Sequence, residues 1–276
     1  MRIVIAGTGY VGLVTAVCLA EKGHNIICVD NNYDKVLLLQ KGISPIYEDG
    51  LQELMKKNIT LLTYTTDYKM AYEFAEVIFI CVGTPERQDG SADLKYLWDV
   101  VKNISKNVNH SCVVVIKSTV PIGTTEKVEK YLSENKMDAA SFSVVSNPEF
   151  LSQGTAVEDT LFASRIVLGT MESSTANIML EVYKDFAAPK IIVNRPSAEM
   201  IKYASNDFLA LKISYINEIA NLCEQTGADI DEVSYGMGFD TRIGNKFLNA
   251  GIGYGGSCFP KDTKALHWIS AFYEKN

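Results

Sequence analysis

Residues 2–30 constrain the fold more than any other stretch. Arg2-Ile3-Val4-Ile5-Ala6 is a short, continuous apolar run, the pattern of a strand buried on both faces of a parallel sheet. Gly7-Thr8-Gly9-Tyr10-Val11-Gly12 follows, then a helical run over Leu13–Lys22, a stop at Gly23, and a second strand over Asn25–Val29 that ends at Asp30. In this strand–turn–helix–strand context each glycine has a physical task. Gly7 permits the tight turn, Gly9 lets a pyrophosphate reach the helix N-terminus, and Gly12 lets helix and strand pack closely. Tyr10 and Val11 complete the turn and count with the glycines as cofactor contacts. Asp30 lies eighteen residues beyond Gly12, where a carboxylate accepts from the adenine-ribose hydroxyl and repels a 2′-phosphate. The expected cofactor is therefore NAD rather than NADP.

The strand–helix rhythm continues through the first two thirds of the chain. Leu61–Thr65 and Val77–Val82 read as strands around a helix at 67–75, Asp93–Val108 as a helix, and Val113–Lys117 as another buried strand. Strands at 165–169 and 190–193 flank a helix at 174–186. Six or more parallel strands with intervening helices make a Rossmann-type, doubly wound α/β domain over 1–195. Three loops at strand ends carry small or polar residues where such sheets place ligands. These are Val82-Gly83-Thr84-Pro85, Ser118-Thr119-Val120-Pro121, and Asn147-Pro148-Glu149-Phe150-Leu151-Ser152-Gln153-Gly154.

Pro196 opens a run without Pro or Gly that lasts until Gly227. A helix over 196–226 would extend on the order of 45 Å, more than one small domain needs. Its widely spread apolar positions fit either a core helix or a strut that also forms a dimer interface. Lys202 and Asn206 stand four residues apart on it and share a face. Residues 196–276 then form a small all-α domain whose loop Gly251-Ile252-Gly253-Tyr254-Gly255-Gly256-Ser257-Cys258-Phe259-Pro260-Lys261-Asp262 is glycine-rich before its cysteine. A thiol beside a lysine and the positive end of a helix is favoured as the thiolate, the nucleophilic form. Asp262 would begin that helix or orient a water near the sulfur.

The loop at 251–262, together with Arg242-Ile243-Gly244-Asn245-Lys246-Phe247-Leu248, resembles the catalytic segment of the UDP-glucose/GDP-mannose dehydrogenase family, most closely its members that oxidise UDP-glucose. The Asn147–Leu151 loop and the Lys202/Asn206 pair resemble that family as well, so the likeness covers essentially the whole chain. It implies an NAD-dependent, two-step oxidation of a sugar-nucleotide primary alcohol to the uronate through a thiohemiacetal and thioester on Cys258. Lys202 and Asn206 would stabilise the oxyanion, and Asp262, Thr119 and Glu149 would hold the waters. The cofactor set implied is Gly7, Gly9, Tyr10, Val11, Gly12, Asp30, Lys35, Thr84, Thr119 and Lys261. For the substrate, the resemblance implies Glu149, Phe150, Leu151, Lys202, Asn206, Arg242, Phe247, Gly251 and Gly255, with Arg242 reaching across a homodimer interface formed by the 196–226 helix. Many relatives have a second acidic residue where this chain has Gln153, which hydrogen-bonds but cannot take a proton. Family members normally carry a further C-terminal domain that grips the nucleotide, so the sequence as given is expected to fold, dimerise and bind NAD but to turn over slowly.

Composition narrows the alternatives. The formal charge of −7 argues against a general nucleic-acid surface. No apolar run reaches the roughly 20 residues that span a bilayer. The N-terminus lacks the layout of a signal peptide. Six scattered cysteines without CxxC pairs suggest neither a disulfide framework nor a metal site, and so a reducing cytoplasm. Three other readings remain open on the residues alone: a GDP-mannose 6-dehydrogenase, an NAD-binding dimerising module without turnover, and a 2-hydroxy-acid or 6-phosphogluconate-type dehydrogenase with no need of Cys258.

Overall fold

The computed structural model of the chain describes residues 1–274. The first unit, Met1–Pro85 with Asp93–Met200, is an α/β domain, and the second comprises Glu86–Ala92 and the chain from Ile201 onward. In chain order the first unit begins β1 (Arg2–Ala6), α1 (Tyr10–Glu21), β2 (Asn25–Val29), α2 (Tyr33–Gln40), α3 (Leu51–Lys57), β3 (Leu62–Thr65), α4 (Tyr68–Tyr72) and β4 (Val77–Ile80). It continues through α5 (Lys95–Asn107), β5 (Ser111–Ile116), α6 (Thr124–Asn135), β6 (Ser141–Ser146), α7 (Ala156–Leu161), β7 (Ile166–Gly169), α8 (Ser173–Val182) and β8 (Lys190–Val193). The strands form one sheet in the order β3-β2-β1-β4-β5-β6-β7-β8.

Two departures from the sequence reading have physical reasons. Strands β1 to β6 are parallel, but β7 pairs antiparallel with β6, and β8 runs parallel to β7. The six parallel strands expected are thus present, and the chain direction reverses only across the β6–β7 seam. That seam is unusually close, because a Cβ on Gly169 would stand 2.6 Å from Ala198 Cβ and 2.9 Å from Ser146 Cβ. Helix α1 starts at Tyr10, three residues before the expected Leu13, with Gly9 as its N-cap and Leu13 N–H donating to Gly9 O at 2.9 Å. Low helix propensity at Gly12 suggests the later start, but packing requires a glycine inside the first turn. An added Cβ there would lie 1.9 Å from Gly7 O.

Alternation along the strands builds a core on each face of the sheet. Ile3, Ile5, Phe79, Val113, Val115 and Val145 pack with Leu13, Val17, Leu51 and Met179. Val4, Ala6, Ile78, Ile80, Val114 and Val144 pack with Leu97, Val101, Val128 and Leu132. Each fully buried aliphatic side chain contributes roughly 1.5–3 kcal/mol, and both layers are complete, which fixes the strand ends that carry the loops.

Helix α9 (Arg195–Thr226) is a single 32-residue element, followed by α10 (Ile230–Gly238) and α11 (Phe259–Glu274). The segment 86–92, closed by a bridge between Glu86 and Ala92, also belongs to the second unit, and Lys264 donates to Glu86 there at 2.9 Å. On α9, Tyr203, Ala210, Ile216 and Cys223 are buried, whereas Phe208, Leu211, Tyr215 and Leu222 are exposed. No helix among the described residues is long and apolar enough to cross a membrane.

Candidate active site

In the first unit the order of the sheet reverses between β1 and β4, the switch point at which doubly wound sheets open a crevice. A cleft of about 390 Å³ lies there, lined among others by Gly7, Gly9, Asp30, Lys35, Val82 and Gly83. Gly7 takes φ +96°, a left-handed conformation, with its N–H on Val29 O at 2.8 Å. A Cβ on Gly9 would meet nothing within 4 Å, so this turn is open where a ligand would approach. Asp30 Oδ2 accepts from Thr8 N–H at 2.7 Å, from Thr8 Oγ1 at 2.7 Å and from Lys35 Nζ at 3.0 Å, while Oδ1 accepts from Asn32 N–H at 2.9 Å. Burial pushes the Asp30 pKa up, but these donors outweigh it and hold the carboxyl below its ordinary value. It is therefore ionised at neutral pH, and Oδ1 keeps acceptor capacity for a ribose hydroxyl. Open backbone at Gly9, the helix N-terminus and this carboxylate together fit the adenosine and pyrophosphate of NAD.

The other loops of this unit are tied to one another. Thr84 Oγ1 donates to Thr119 O at 2.8 Å, and Ser118 Oγ donates to Val82 O at 2.7 Å, which joins the loops after β4 and β5. Thr84 is thus engaged as a strut, with its oxygen still able to accept. Asn147 holds the start of the next loop: its Oδ1 accepts from Tyr183 at 2.5 Å and from Lys117 at 3.3 Å, and its Nδ2 donates to Val167 O at 2.8 Å. Glu149 is buried, and its Oε2 accepts from Leu151 N–H at 2.8 Å. Gln153 is exposed. The Tyr10 hydroxyl, in a residue expected to touch only the cofactor, accepts from Gly154 N–H at 3.0 Å.

In the second unit Lys202 and Asn206 are both buried on α9, so the pair is not a solvated stripe. Asn206 Nδ2 donates to Asp262 Oδ2 at 2.7 Å, and Lys261 Nζ donates to Asp262 Oδ1 at 2.5 Å. Asp262 is 1 % exposed and lies one turn inside α11, with its N–H on Cys258 O at 3.0 Å. Lys261, expected beside the thiol and the cofactor, is committed to that carboxylate. Cys258 itself heads α11 and is the one exposed thiol of the six; none is paired. Burial pushes Cys18, Cys81 and Cys112 up to about 12, which leaves them inert. Pro260 sits in the first turn of α11, where its missing N–H costs no helical bond.

Around the thiol, Phe247 adopts φ 65°, rare for an aromatic residue, and its ring centre lies 6.2 Å from that of Phe259, which Tyr254 meets edge-on at 6.0 Å. Gly251 N–H donates to Asn217 Oδ1 at 2.8 Å, and Gly253 and Gly256 take positive φ. Gly255 is exposed. Arg242 is exposed and forks onto Asp240, with Nη2 at 2.6 Å from Oδ2. Two residues escaped the sequence reading. Asp207, next to Asn206, is pushed up to about 6, first by burial and then by the charge of Asp262, and its Oδ1 is buried with no hydrogen-bond partner. Glu48 is buried far from any motif. Among the described residues no group of three or more His, Cys, Asp or Glu side chains could hold a metal ion.

Residues 1–187 match the model of the UDP-glucose/GDP-mannose dehydrogenase family, NAD binding domain, and residues 196–275 match that family's central domain. The UDP-glucose 6-dehydrogenase YwqF of Bacillus subtilis is 52% identical over 276 residues, covering 99% of this chain and 63% of that protein. A second B. subtilis UDP-glucose 6-dehydrogenase, TuaD, is 49% identical, covering 98% of this chain and 59% of that protein. Among solved structures, a UDP-glucose dehydrogenase from the archaeon Pyrobaculum islandicum superposes with a TM-score of 0.95 at 40% identity, covering 99% of this chain and 64% of the other. A GDP-mannose dehydrogenase from Pseudomonas aeruginosa superposes with a TM-score of 0.83 at 36% identity, covering 99% and 65%. The chain thus spans about 60% of the length of the curated relatives it matches.

Proposed function

Because the chain belongs to the UDP-glucose/GDP-mannose dehydrogenase family, we propose that it carries the cofactor site and the thiol of a UDP-glucose 6-dehydrogenase, which converts UDP-glucose to UDP-glucuronate. The observation that carries this reading is the head of α11. The sole exposed thiol, Cys258, is followed one turn later by a buried carboxylate, Asp262, which is bonded to Asn206 of α9. Greater identity to UDP-glucose dehydrogenases (52%) than to the GDP-mannose enzyme (36%) favours the former substrate. Membership of this family sets aside the 2-hydroxy-acid and 6-phosphogluconate alternatives.

NAD would be held at Gly7, Gly9, Gly12 and Asp30 and would accept one hydride in each oxidation, so that two NAD molecules would be reduced in turn. The chain's own residues do the rest. The Cys258 sulfur adds to the aldehyde carbon, so that one site oxidises twice without releasing the aldehyde. Lys202 and Asn206 donate to the oxygen that gains charge on this carbon; preorganised donors of this kind contribute roughly 3 kcal/mol each. Asp262, already fixed by Asn206 and Lys261, orients the water that opens the thioester. Within the first unit, Thr119 and Glu149 are the further water-holding residues of this reading. The sugar contacts of this reading are, in the first unit, Phe150 and Leu151 and, in the second unit, Phe247, Gly251 and Gly255. Gln153 takes no part in proton transfer.

Homodimerisation belongs to the same reading. The exposed apolar stripe Phe208, Leu211, Tyr215 and Leu222 on α9 needs cover, and a second copy would bring its Arg242 to the substrate. Sedimentation that gives the monomer mass would refute this part. A cytoplasmic location is also part of it, supported by six unpaired cysteines. The test of the chemistry is Cys258→Ser, which should abolish uronate formation while NAD still binds. Wild-type uronate formation by the variant would sink the assignment.

A further inference from the structure

The loop 147–154, which the proposed function places against the sugar, is pinned at both ends. Asn147 fixes its start, as described above. The far end is held by Glu48, from the segment joining α2 to α3, which is only 6 % exposed. Glu48 Oε1 accepts from Ala156 N–H at 2.7 Å, and Oε2 accepts from Gly154 N–H at 2.9 Å. The Gly154 N–H is shared with the Tyr10 hydroxyl at 3.0 Å, and Tyr10 is the first residue of α1, directly after the Gly9 turn. Gly154 itself takes φ +95°, a conformation that leaves this N–H presented to two acceptors. A carboxylate that accepts two backbone N–H groups in a buried place is a strong and directional tie.

We propose that Glu48 is a positioning residue for the loop bearing Glu149, Phe150 and Leu151, and that through the shared Gly154 amide it fixes this loop against the dinucleotide-binding turn. The proposal rests on the reading above for what the loop contacts, but not for how the loop is held. Thr155 makes no side-chain cap to helix α7; its hydroxyl donates to Asp159 at 3.0 Å, and Asp159 also accepts from Ser152 N–H at 2.8 Å, so Glu48 is the acceptor for the Ala156 N–H and shares the rest of the loop's far end with Tyr10 and Asp159. Glutamine at position 48 keeps the size but turns an NH2 towards one of the two N–H donors, so one tie is lost and replaced by a repulsive contact. Aspartate keeps the charge but falls one methylene short of reaching both amides.

The experiment compares Glu48→Gln and Glu48→Asp with the wild type by three measurements. They are hydrogen exchange of peptides covering 149–156, calorimetry with NADH, and calorimetry with UDP-glucose in the presence of NADH. The expected result for Glu48→Gln is exchange about tenfold faster in 149–156 alone, NADH affinity within about twofold, and UDP-glucose affinity weakened at least about fivefold, with Glu48→Asp between. Unchanged exchange in 149–156 would overturn the positioning role. Faster exchange with unchanged UDP-glucose affinity would uphold the tie but overturn the loop's place in the sugar site, and so would a wild type that binds no UDP-glucose. If neither variant folds, Glu48 is a structural residue and the proposal fails.

Discussion

Two glycines three residues apart should respond in opposite ways to the same added methyl group. At Gly12 a Cβ would stand 1.9 Å from Gly7 O, 3.0 Å from Cys81 Cβ and 3.1 Å from Gly7 C. The nearest of these is backbone, pinned by the Gly7 N–H bond to Val29, and cannot swing aside as a side-chain tip would. Overpacking of a rigid core costs roughly 1–3 kcal/mol. An approach more than an ångström inside contact belongs at the top of that range, so Gly12→Ala should lose about 3 kcal/mol. For a domain of this size that is roughly 6–12 °C in Tm. At Gly9 the φ of −69° suits any residue and the added Cβ meets nothing. Gly9→Ala should therefore keep its stability or gain up to about 1 kcal/mol from the stiffer unfolded chain. The space it fills is the space through which a pyrophosphate would approach, so NAD affinity should fall at least about tenfold, or about 1.4 kcal/mol. Thermal unfolding and NAD calorimetry on both variants check this. Wild-type NAD affinity in Gly9→Ala, or wild-type stability in Gly12→Ala, would refute the division of labour between the two glycines.

Asp30→Ala should bring NADP affinity closer to that of NAD, because a ribose acceptor and a repulsive charge are lost together; an unmutated chain that already binds both equally in calorimetry would contradict the role of Asp30. Asp207→Asn should stabilise the protein at pH 7.5 but not below pH 3.8. The folded-state pKa of about 6 lies above the unfolded 3.8, so a penalty for ionising Asp207 develops between those values and is complete above 6. The full shift corresponds to about 3 kcal/mol, and the half-exposed setting reduces this to the order of 1 kcal/mol. Denaturant unfolding at pH 5 and 7.5 should show the gain growing with pH, and a gain independent of pH would contradict this reading of Asp207.

Local pattern carried most of the fold, and contact between distant segments explains where it fell short. Strands β1 and β2, the glycine turn and Asp30 were legible because their spacing is local and each residue has one physical task. The antiparallel seam of β6 and β7 was not, because four- to six-residue apolar runs read alike in either direction and the seam pairs Gly169 with Ser146, 23 residues earlier in the chain. Lys202, Asn206, Cys258 and Asp262 were grouped as a proposed set only through the family resemblance. Taken alone, a Lys and an Asn on one helix face look solvated, and it is the bond from Asn206 to a carboxylate 56 residues away that marks them. Glu48 gave no signal, since its two partners lie 106 and 108 residues further on. Asp207 was hidden for a related reason: its raised pKa comes from burial and from Asp262, neither of which is visible in Asn206-Asp207-Phe208.

The central claim is that the Cys258 thiol meets the substrate. Five of the six cysteines are buried and Cys258 is exposed, so the chain carries its own internal control for alkylation. Iodoacetamide labelling at neutral pH, read peptide by peptide by mass spectrometry with and without saturating UDP-glucose, measures the claim directly. One label per chain is expected, on Cys258, with slower labelling when UDP-glucose is present. Labelling of Cys258 at the same rate with and without UDP-glucose would contradict it.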